Sequence, residues 1–342
     1  MKYFLAGDIG GTKTLLRLDH PRSTMVDPVF VKSHSSQAYP SLVEIVTEFI
    51  AAAQTQLGME IEIESACLGI AGAVIDGASY LPNLDWHINA DGLAQALQIP
   101  NLKLINDFTA IGYGITQLRS ADFQTLQTGS PRPNAPIAII GAGTGLGQGF
   151  LVHNGTDYQV MPTEGGHADF AARSTQEFEL SRYICRQKQL DRISNERVIS
   201  GAGIVAIYQF LRDTSNLSEN PDLANVVRLW ESAPETAVDP AGKISALAIA
   251  KTDPLAQATM QMFVSLYGAE AGNLALRTLP YGGLFVAGGI AAKNLPLIAD
   301  GTFLNAFDRK GRVSNLLTHI PVHVVLNPQV GLLGAVAQAA CL

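Results

Sequence analysis

Cysteine is scarce in this sequence. The three cysteines, Cys67, Cys185 and Cys341, are far apart and odd in number, and they form neither a Cys-x-x-Cys pair nor a spacing typical of metal ligands. The pattern therefore does not indicate a disulfide framework or a cysteine-based metal centre. It fits the reducing cytosol, so we expect a cytoplasmic protein.

Positive charge is also in short supply. Lys and Arg number 23 against 30 for Asp and Glu, which gives a formal net charge of -7. Sequence-independent binding to nucleic acid requires clustered Lys and Arg, so we expect no nucleic-acid partner. Any anionic ligand must be held by a local arrangement of groups.

Long apolar runs are missing as well. The first apolar run is short and ends at Asp8, so the N-terminus lacks the features of a signal peptide. The longest apolar stretch, residues 283–292, is too short to span a bilayer. We expect a soluble protein with no membrane partner.

The sequence does contain enough apolar material for a large core. Its 342 residues, 47% of them hydrophobic, exceed one average domain, and two lobes are the default expectation. Apolar periodicity predicts helices over residues 42–56, 93–97, 176–187, 203–211, 244–250, 255–276 and 331–340. Residues 213–242, rich in Pro, Asn and Ser and with helical pieces, are interpreted as a surface insertion.

Two strand pairs with glycine tips stand out. Residues 3–6 and 15–18 predict strands joined at Gly10 and Gly11, where a positive φ is available. After a Gly-, Ser- and Pro-rich boundary, residues 137–152 repeat this strand, glycine tip, strand layout around Gly141 to Gly147. Later segments repeat as well, since residues 284–289 resemble 66–72 and residues 322–327 resemble 102–106. The repetition predicts a duplicated α/β lobe.

A glycine tip between strands exposes backbone N–H groups to which phosphate oxygens can bind closely. Neither tip has the P-loop or the Rossmann spacing, and a single tip of this kind is more often structural. Two tips at matching positions, one with Asp8 and Thr12 and the other with Thr144, could hold a polyphosphate from both sides. Asp8 would then hold Mg²⁺ directly or through water.

Asn106 and Asp107 end an apolar strand. On spacing alone Asp107 is a helix N-cap, and the alternative is a general base facing a sugar hydroxyl. Glu164 and His167 stand on a loop that includes two glycines, where the plain interpretation is a surface turn. Glu196 could pair with an arginine, cap the following helix, or bind a ligand.

Together these motifs resemble the bacterial ATP-dependent glucokinases, a non-ROK branch of the actin, hexokinase and sugar-kinase superfamily, over nearly the whole chain. Residues 6–12 resemble the family's first phosphate motif, residues 143–147 its second, and residues 286–290 its adenosine motif. The Asn-Asp pair, the Glu-Gly-Gly-His loop and the glutamate of residues 196–201 follow in the family's order.

The resemblance implies a two-lobed, actin-like and ribonuclease H-like duplicated α/β fold with a ligand cleft between the lobes. The smaller lobe would be residues 1–117 plus 327–342, and the larger lobe residues 118–326. It also implies transfer of the ATP γ-phosphate to the 6-hydroxyl of glucose in a homodimer with Mg²⁺. The implied sugar-binding residues are Asn106, Asp107, Glu164, His167 and Glu196, with Asp107 as the base. The implied nucleotide-binding residues are Asp8, Gly10, Gly11, Thr12, Lys13, Gly143, Thr144, Gly145, Gly288 and Gly289, with Asp8 toward the metal.

Two departures refine the expectation. Position 13 is Lys, as in the ROK sugar kinases, where many glucokinases of this branch have Asn. No cysteine cluster follows His167, however, whereas the ROK family has a zinc motif there. We therefore expect no structural zinc. Three alternatives stay open: a kinase for mannose, fructose or an amino sugar, a non-catalytic sugar sensor, and an acyl-phosphate or chaperone-type ATPase of the superfamily.

Overall fold

A computed structural model describes residues 2–20, 27–232 and 238–342. Its strands are β1 (Lys2–Ile9), β2 (Lys13–Asp19), β3 (Phe30–Ser35), β4 (Glu62–Ile70), β5 (Ala78–Leu81), β6 (Trp86–Asn89), β7 (Asn101–Asn106), β8 (Phe123–Gln127), β9 (Ile137–Ala142), β10 (Leu146–His153), β11 (Tyr158–Thr163), β12 (Gly283–Ala287) and β13 (Val322–Val325). Its helices are α1 (Leu42–Leu57), α2 (Ala90–Leu97), α3 (Asp107–Ile115), α4 (Thr175–Lys188), α5 (Gly201–Thr214), α6 (Pro221–Ser232), α7 (Pro240–Ile249), α8 (Pro254–Thr278), α9 (Gly289–Lys293), α10 (Leu295–Ile298), α11 (Thr302–Asp308), α12 (Ser314–Leu317) and α13 (Val330–Ala339).

The chain divides into two compact units. Unit 1 comprises Met1–Asp122, Thr156–Pro162 and Asn327–Leu342, and unit 2 comprises Phe123–Gly155 and Thr163–Leu326. Each unit contains one large sheet with helices packed against it and has its own apolar core, and unit 1 also contains the two-stranded sheet β5–β6.

The two sheets share one strand arrangement. In unit 1 the order is β3-β2-β1-β4-β7, and in unit 2 the strands β10-β9-β12-β13 follow one another in the same way as β2-β1-β4-β7. In both, an antiparallel hairpin (β1 with β2, β9 with β10) is followed by two parallel neighbours (β4 and β7, β12 and β13). The mixed α/β fold with a duplicated arrangement, predicted from the sequence, is confirmed.

Helices α3 and α13 pack unusually closely in unit 1. A Cβ atom added at Gly114 of α3 would overlap the backbone oxygen of Val330, and one added at Gly334 of α13 would overlap that of Ala110. Beside this contact, side chains of both helices and of β1, β4 and β7 form a small apolar cluster. The C-terminal helix thus supports the helix that begins at Asp107.

Unit 2 is built around the long helix α8, and the stretch interpreted as a surface insertion contributes to its core. Helix α6 lies within residues 213–242, and its Leu223 and Val227 are fully buried. The interpretation of this stretch as purely a surface insertion was therefore wrong, because α6 has an apolar face. Residues 233–237 of the same stretch lie outside the described residues.

Residues 82–85 form the turn of the β5–β6 hairpin. Across the described ranges, no helix combines the length and the apolar character that crossing a bilayer requires.

Candidate active site

The first glycine tip joins β1 to β2 in unit 1. Gly10 N–H donates to the Lys13 carbonyl at 3.0 Å and closes the turn. Ser36, which is fully buried, donates its hydroxyl to the Gly10 carbonyl at 2.7 Å, while its N–H donates to the Thr12 carbonyl at 3.0 Å. Ser36 therefore fixes the tip from behind, a role that the sequence analysis missed.

At Gly10 the need for glycine comes from a close neighbouring atom and not from the backbone angle φ. Neither Gly10 nor Gly11 has a positive φ, so that expectation was wrong. A Cβ at Gly10 would lie 3.1 Å from the Lys13 carbonyl oxygen. The N–H groups of Gly11 and Thr12 donate to no atom of the described part of the chain, which leaves two donors for an anion.

Asp8 lies on β1 just before the tip and is exposed to solvent. The surrounding protein nevertheless removes part of its hydration, and this desolvation raises the pKa of Asp8, while the Lys13 ammonium partly offsets the increase. Mg²⁺ in phosphotransferases is commonly bound through one or two carboxylates together with substrate phosphates. Asp8 beside the free N–H donors fits that pattern, although within the described ranges no group of three potential metal ligands is found.

Asn106, rather than Asp107, is the N-cap of α3. Its side-chain oxygen accepts from the N–H groups of Phe108 at 2.9 Å and Thr109 at 3.3 Å, and its Nδ2 donates to the Gly72 carbonyl at 2.9 Å. The interpretation of Asp107 as the cap was therefore wrong. Asp107 is the first residue of the helix, and the capping work is done by its neighbour.

The half-buried Asp107 carboxyl group is held near Asp8. Its Oδ1 accepts from the Phe108 N–H at 2.8 Å. Desolvation is the main cause that raises the pKa of Asp107, the Phe108 hydrogen bond opposes it, and the negative charge of Asp8 raises it further. A carboxylate with a raised pKa accepts a proton more readily than an ordinary aspartate.

The second glycine tip joins β9 to β10 in unit 2 and has the same properties. Gly143 N–H donates to the Gly145 carbonyl at 2.9 Å, and Gly201 N–H donates to the Gly143 carbonyl at 2.9 Å. No protein atom lies within 4 Å of a Cβ added at Gly143, so protein packing does not require glycine there. Among the described residues, the N–H groups of Thr144 and Gly145 find no acceptor.

Glu196 contacts this tip directly. Its Oε2 accepts from the Leu146 N–H at 2.9 Å, and a Cβ at Gly145 would lie 2.5 Å from the same oxygen. The structure contradicts the interpretations of Glu196 as a helix cap and as the partner of an arginine. Ser200 caps the following helix α5, and within the described chain Glu196 forms no ion pair with an arginine.

The Glu164–His167 loop is a 3-10 turn seated on β10. His167 N–H donates to the Glu164 carbonyl at 3.0 Å, and the two side chains form an exposed pair with Nε2 and Oε2 3.8 Å apart. A Cβ at Gly166 would overlap the Leu146 carbonyl oxygen, so the two glycines allow the loop to lie against the strand. Both side chains remain accessible to a ligand.

Gly288 and Gly289 follow β12, and the structural reason for glycine differs between the two positions. Gly288 has φ 84°, and a Cβ there would lie 2.5 Å from the Ala142 carbonyl oxygen, so the backbone itself demands glycine. A Cβ at Gly289 would meet nothing within 4 Å. The open space beside Gly289 fits the close approach of a ligand.

The predicted site residues thus fall into one group in each unit. Unit 1 brings Asp8, the first tip, Asn106 and Asp107 to the ends of β1 and β7, two strands that lie on either side of β4. Unit 2 brings together the second tip, Glu196 and the Glu164–His167 loop. These groups offer N–H donors for phosphate oxygens, a basic carboxylate, and accessible side chains suited to hydroxyl groups.

Comparison with known proteins agrees with these features. Residues 5–341 match the family model described as Glucokinase. A glucokinase of Nostoc punctiforme is 51% identical over 344 residues, and one of Synechocystis sp. is 48% identical over 346 residues, with 99% and 98% of each chain covered. The crystal structure of a glucokinase from an Antarctic psychrotroph matches with a TM-score of 0.81 over 100% of both chains, at 27% identity.

The duplicated α/β fold, the two glycine tips and the match over residues 5–341 together place the protein in the class of sugar kinases, phosphotransferases that act on a sugar. Within that class, the chain belongs to the glucokinase family. The family resemblance inferred from the order of the motifs is confirmed.

Proposed function

We propose that this chain transfers the γ-phosphate of ATP to the 6-hydroxyl group of glucose, giving glucose 6-phosphate and ADP, with Asp107 as the general base. Glucokinase relatives that are about half identical over the full length support the reaction. The observation that carries the role of Asp107 is its carboxyl group, half-buried, of raised pKa, and fixed by the Phe108 N–H at the end of β7.

In this mechanism Asp107 accepts the proton of the 6-hydroxyl as the hydroxyl oxygen attacks the γ-phosphorus and ADP leaves. The free N–H groups of both tips bind phosphate oxygens, and the Lys13 ammonium balances their charge. Asp8 would hold Mg²⁺ directly or through water, and the bound ion would neutralise charge on the phosphates. Asn106, Glu164, His167 and Glu196 bind the sugar hydroxyls.

The domain roles follow from this assignment. Residues 1–117 with 327–342 would supply the first phosphate motif and the base, and residues 118–326 the second phosphate and adenosine motifs. We also propose a homodimer in the cytoplasm, and the three cysteines, all free, are compatible with a reducing compartment. Light scattering of the purified protein measures the oligomeric state.

The experiment is an ADP-coupled assay of the purified protein with ATP, Mg²⁺ and a panel of glucose, mannose, fructose and glucosamine. Glucose should give the highest kcat/KM. Asp107→Ala should bind glucose, as measured by calorimetry, but lose turnover by about a hundredfold to ten-thousandfold, the range for a general base. Asp91→Ala, which removes an exposed aspartate of α2, is the control. Near-normal turnover of Asp107→Ala would refute the base assignment.

A further inference from the structure

We propose that Gln148 and Thr163 are positioning residues that set the conformation of the Glu164–His167 loop, and that Glu270 orients Gln148 for this task. The inference rests on the proposed function, because it takes Glu164 and His167 to bind glucose. None of the three positions belongs to the motifs that point to the family.

Two hydrogen bonds tie the loop to β10. The Gly165 N–H donates to Thr163 Oγ1 at 3.2 Å, and Thr163 Oγ1 donates to the Gln148 carbonyl at 3.1 Å. The side-chain oxygen of Gln148 also lies against Gly165, so close that an added Cβ would overlap it. The loop is therefore seated on the strand through these residues.

The orientation of the Gln148 amide is imposed by a buried carboxylate. Gln148 is 2% exposed, and its Nε2 donates to Oε1 of Glu270, itself 3% exposed, at 3.0 Å. An ionised carboxylate only accepts hydrogen bonds, so the amide nitrogen must face Glu270 and the amide oxygen must face Gly165. A buried amide without this partner would leave a polar group unsatisfied.

Glu270 is held independently of the loop. Its Oε2 accepts from Asn273 Nδ2 at 2.8 Å, and its Oε1 accepts from Arg277 at 3.3 Å. Asn273 in turn accepts from Lys310 Nζ at 2.5 Å, and the same ammonium donates to the Ala269 carbonyl at 2.8 Å. A fixed carboxylate therefore orients Gln148, and Gln148 in turn positions the loop.

Gln148, Thr163 and Glu270 hold the Glu164–His167 loop without changing the free N–H donors of the second glycine tip. The free N–H groups of the tip are those of Thr144 and Gly145, and the tip is held by its own turn bond, by the Gly201 N–H and by Glu196 through the Leu146 N–H. Loss of the support should therefore weaken glucose binding while leaving the KM for ATP unchanged. General damage to unit 2 would affect both substrates.

The test compares Gln148→Leu and Thr163→Val with Gln127→Leu. Gln127 donates two hydrogen bonds of 2.8 Å, to the Leu317 and Ile320 carbonyls, in the same unit but away from the loop. Each loop variant should raise the glucose KM by about threefold to tenfold at unchanged KM for ATP, because Thr163→Val removes a hydrogen bond to the loop and Gln148→Leu removes the amide oxygen that lies against Gly165. Hydrogen exchange of the peptide with the Gly165 amide should accelerate. Gln127→Leu should lower the melting temperature and change neither readout.

Exchanging the amide and the carboxylate between positions 148 and 270 tests whether a lost affinity for glucose can be restored. Gln148→Glu places a second carboxylate against Glu270 and should raise the glucose KM further, because two buried like charges repel. Adding Glu270→Gln restores an amide–carboxylate pair and should recover part of the affinity for glucose. Failure of the double variant to improve on Gln148→Glu would overturn the orienting role of Glu270.

Failure of this inference and failure of the proposed function are distinguishable. If the wild-type protein phosphorylates glucose and Glu164→Gln raises the glucose KM, an unchanged KM in Gln148→Leu and Thr163→Val overturns the positioning role alone. Equal losses for both substrates would also overturn it. If the wild-type protein does not phosphorylate glucose, the proposed function fails, and unchanged exchange at Gly165 would refute the loop support as well.

Discussion

Replacing Asn106 by Ala tests whether the end of β7 does more than begin a helix. The substitution removes two hydrogen bonds that cap α3 and a third that Nδ2 donates to the Gly72 carbonyl. Loss of an N-cap costs about 1 kcal/mol, and loss of a further part-buried hydrogen bond costs about 1 kcal/mol. We expect the free energy of unfolding to fall by about 2 kcal/mol.

Asn89 provides a matched control in the same unit. It is the N-cap of α2, where its side-chain oxygen accepts from the Gly92 N–H at 2.9 Å, and it belongs to neither motif of the site. Asn89→Ala should cost about 1 kcal/mol and leave turnover unchanged. Asn106→Ala should also lower kcat/KM for glucose by about tenfold to a hundredfold, because Asp107 loses its fixed position.

Urea unfolding measures stability for both variants, and the coupled kinase assay measures glucose turnover. Asn106→Ser refines the comparison, since a serine hydroxyl can cap the helix but cannot replace both functions of the amide. If Asn106→Ala lost stability while its glucose KM and kcat stayed at the wild-type values, Asn106 would be a cap alone, and its assignment to the sugar site would be refuted.

Three further predictions follow from the site and its surroundings. Gly143→Ala should keep the wild-type melting temperature but raise the KM for ATP, whereas Gly145→Ala should displace Glu196 and lower the melting temperature; identical behaviour would contradict the phosphate tip. Asp107→Asn should be inactive yet more stable at neutral pH, because a raised folded-state pKa means that the charged form destabilises the fold as pH rises; equal or lower thermal stability would contradict this. Burial lowers the pKa of Lys310 to about 8 from its ordinary 10.5, so the unfolded chain binds this proton more strongly than the folded chain. The free energy of unfolding should therefore increase as the pH rises from about 8 to 10.5. In urea unfolding measured at several pH values, Lys310→Met should remove this increase.

The duplicated fold could be predicted because each hairpin has a recognisable pattern in its own local sequence. An apolar strand, a glycine tip and a return strand recur in order, and of the parallel strands after them one pair leads to a glycine (Gly72, Gly288) and the other to an asparagine (Asn106, Asn327). The physical reason for the glycines could not be predicted. Sequence suggested a positive φ at Gly10 and Gly11, whereas neither has one, and Gly10 instead lacks a side chain where the Lys13 carbonyl oxygen approaches closely.

The Asn106-Asp107 pair shows the limit of local patterns at a helix start. Both residues are good N-caps, so sequence cannot tell which one accepts the helix N–H groups. The choice depends on Gly72, which lies after a neighbouring strand and accepts from Asn106 Nδ2. Only the folded sheet brings that carbonyl beside the strand end, and it leaves Asp107 for another role.

Supporting residues were harder to predict than the site itself. Ser36 and Gln148 act through hydrogen bonds to Gly10 and Glu270, partners that are distant in sequence. A polar residue within a buried strand, such as Gln148, and a carboxylate within an apolar helix, such as Glu270, are visible signals that something unusual is buried. The sequence does not show that these two residues form a hydrogen bond with each other.

The close packing of α13 on α3 has a consequence for synthesis of the chain. Helix α3, which begins at Asp107, leaves the ribosome about two hundred residues before α13, its packing partner. At about 5 to 20 residues per second, that gap lasts roughly 10 to 40 seconds. A nascent chain therefore carries its proposed base on an unsupported helix, and phosphotransfer should begin only after the last helix has emerged and docked.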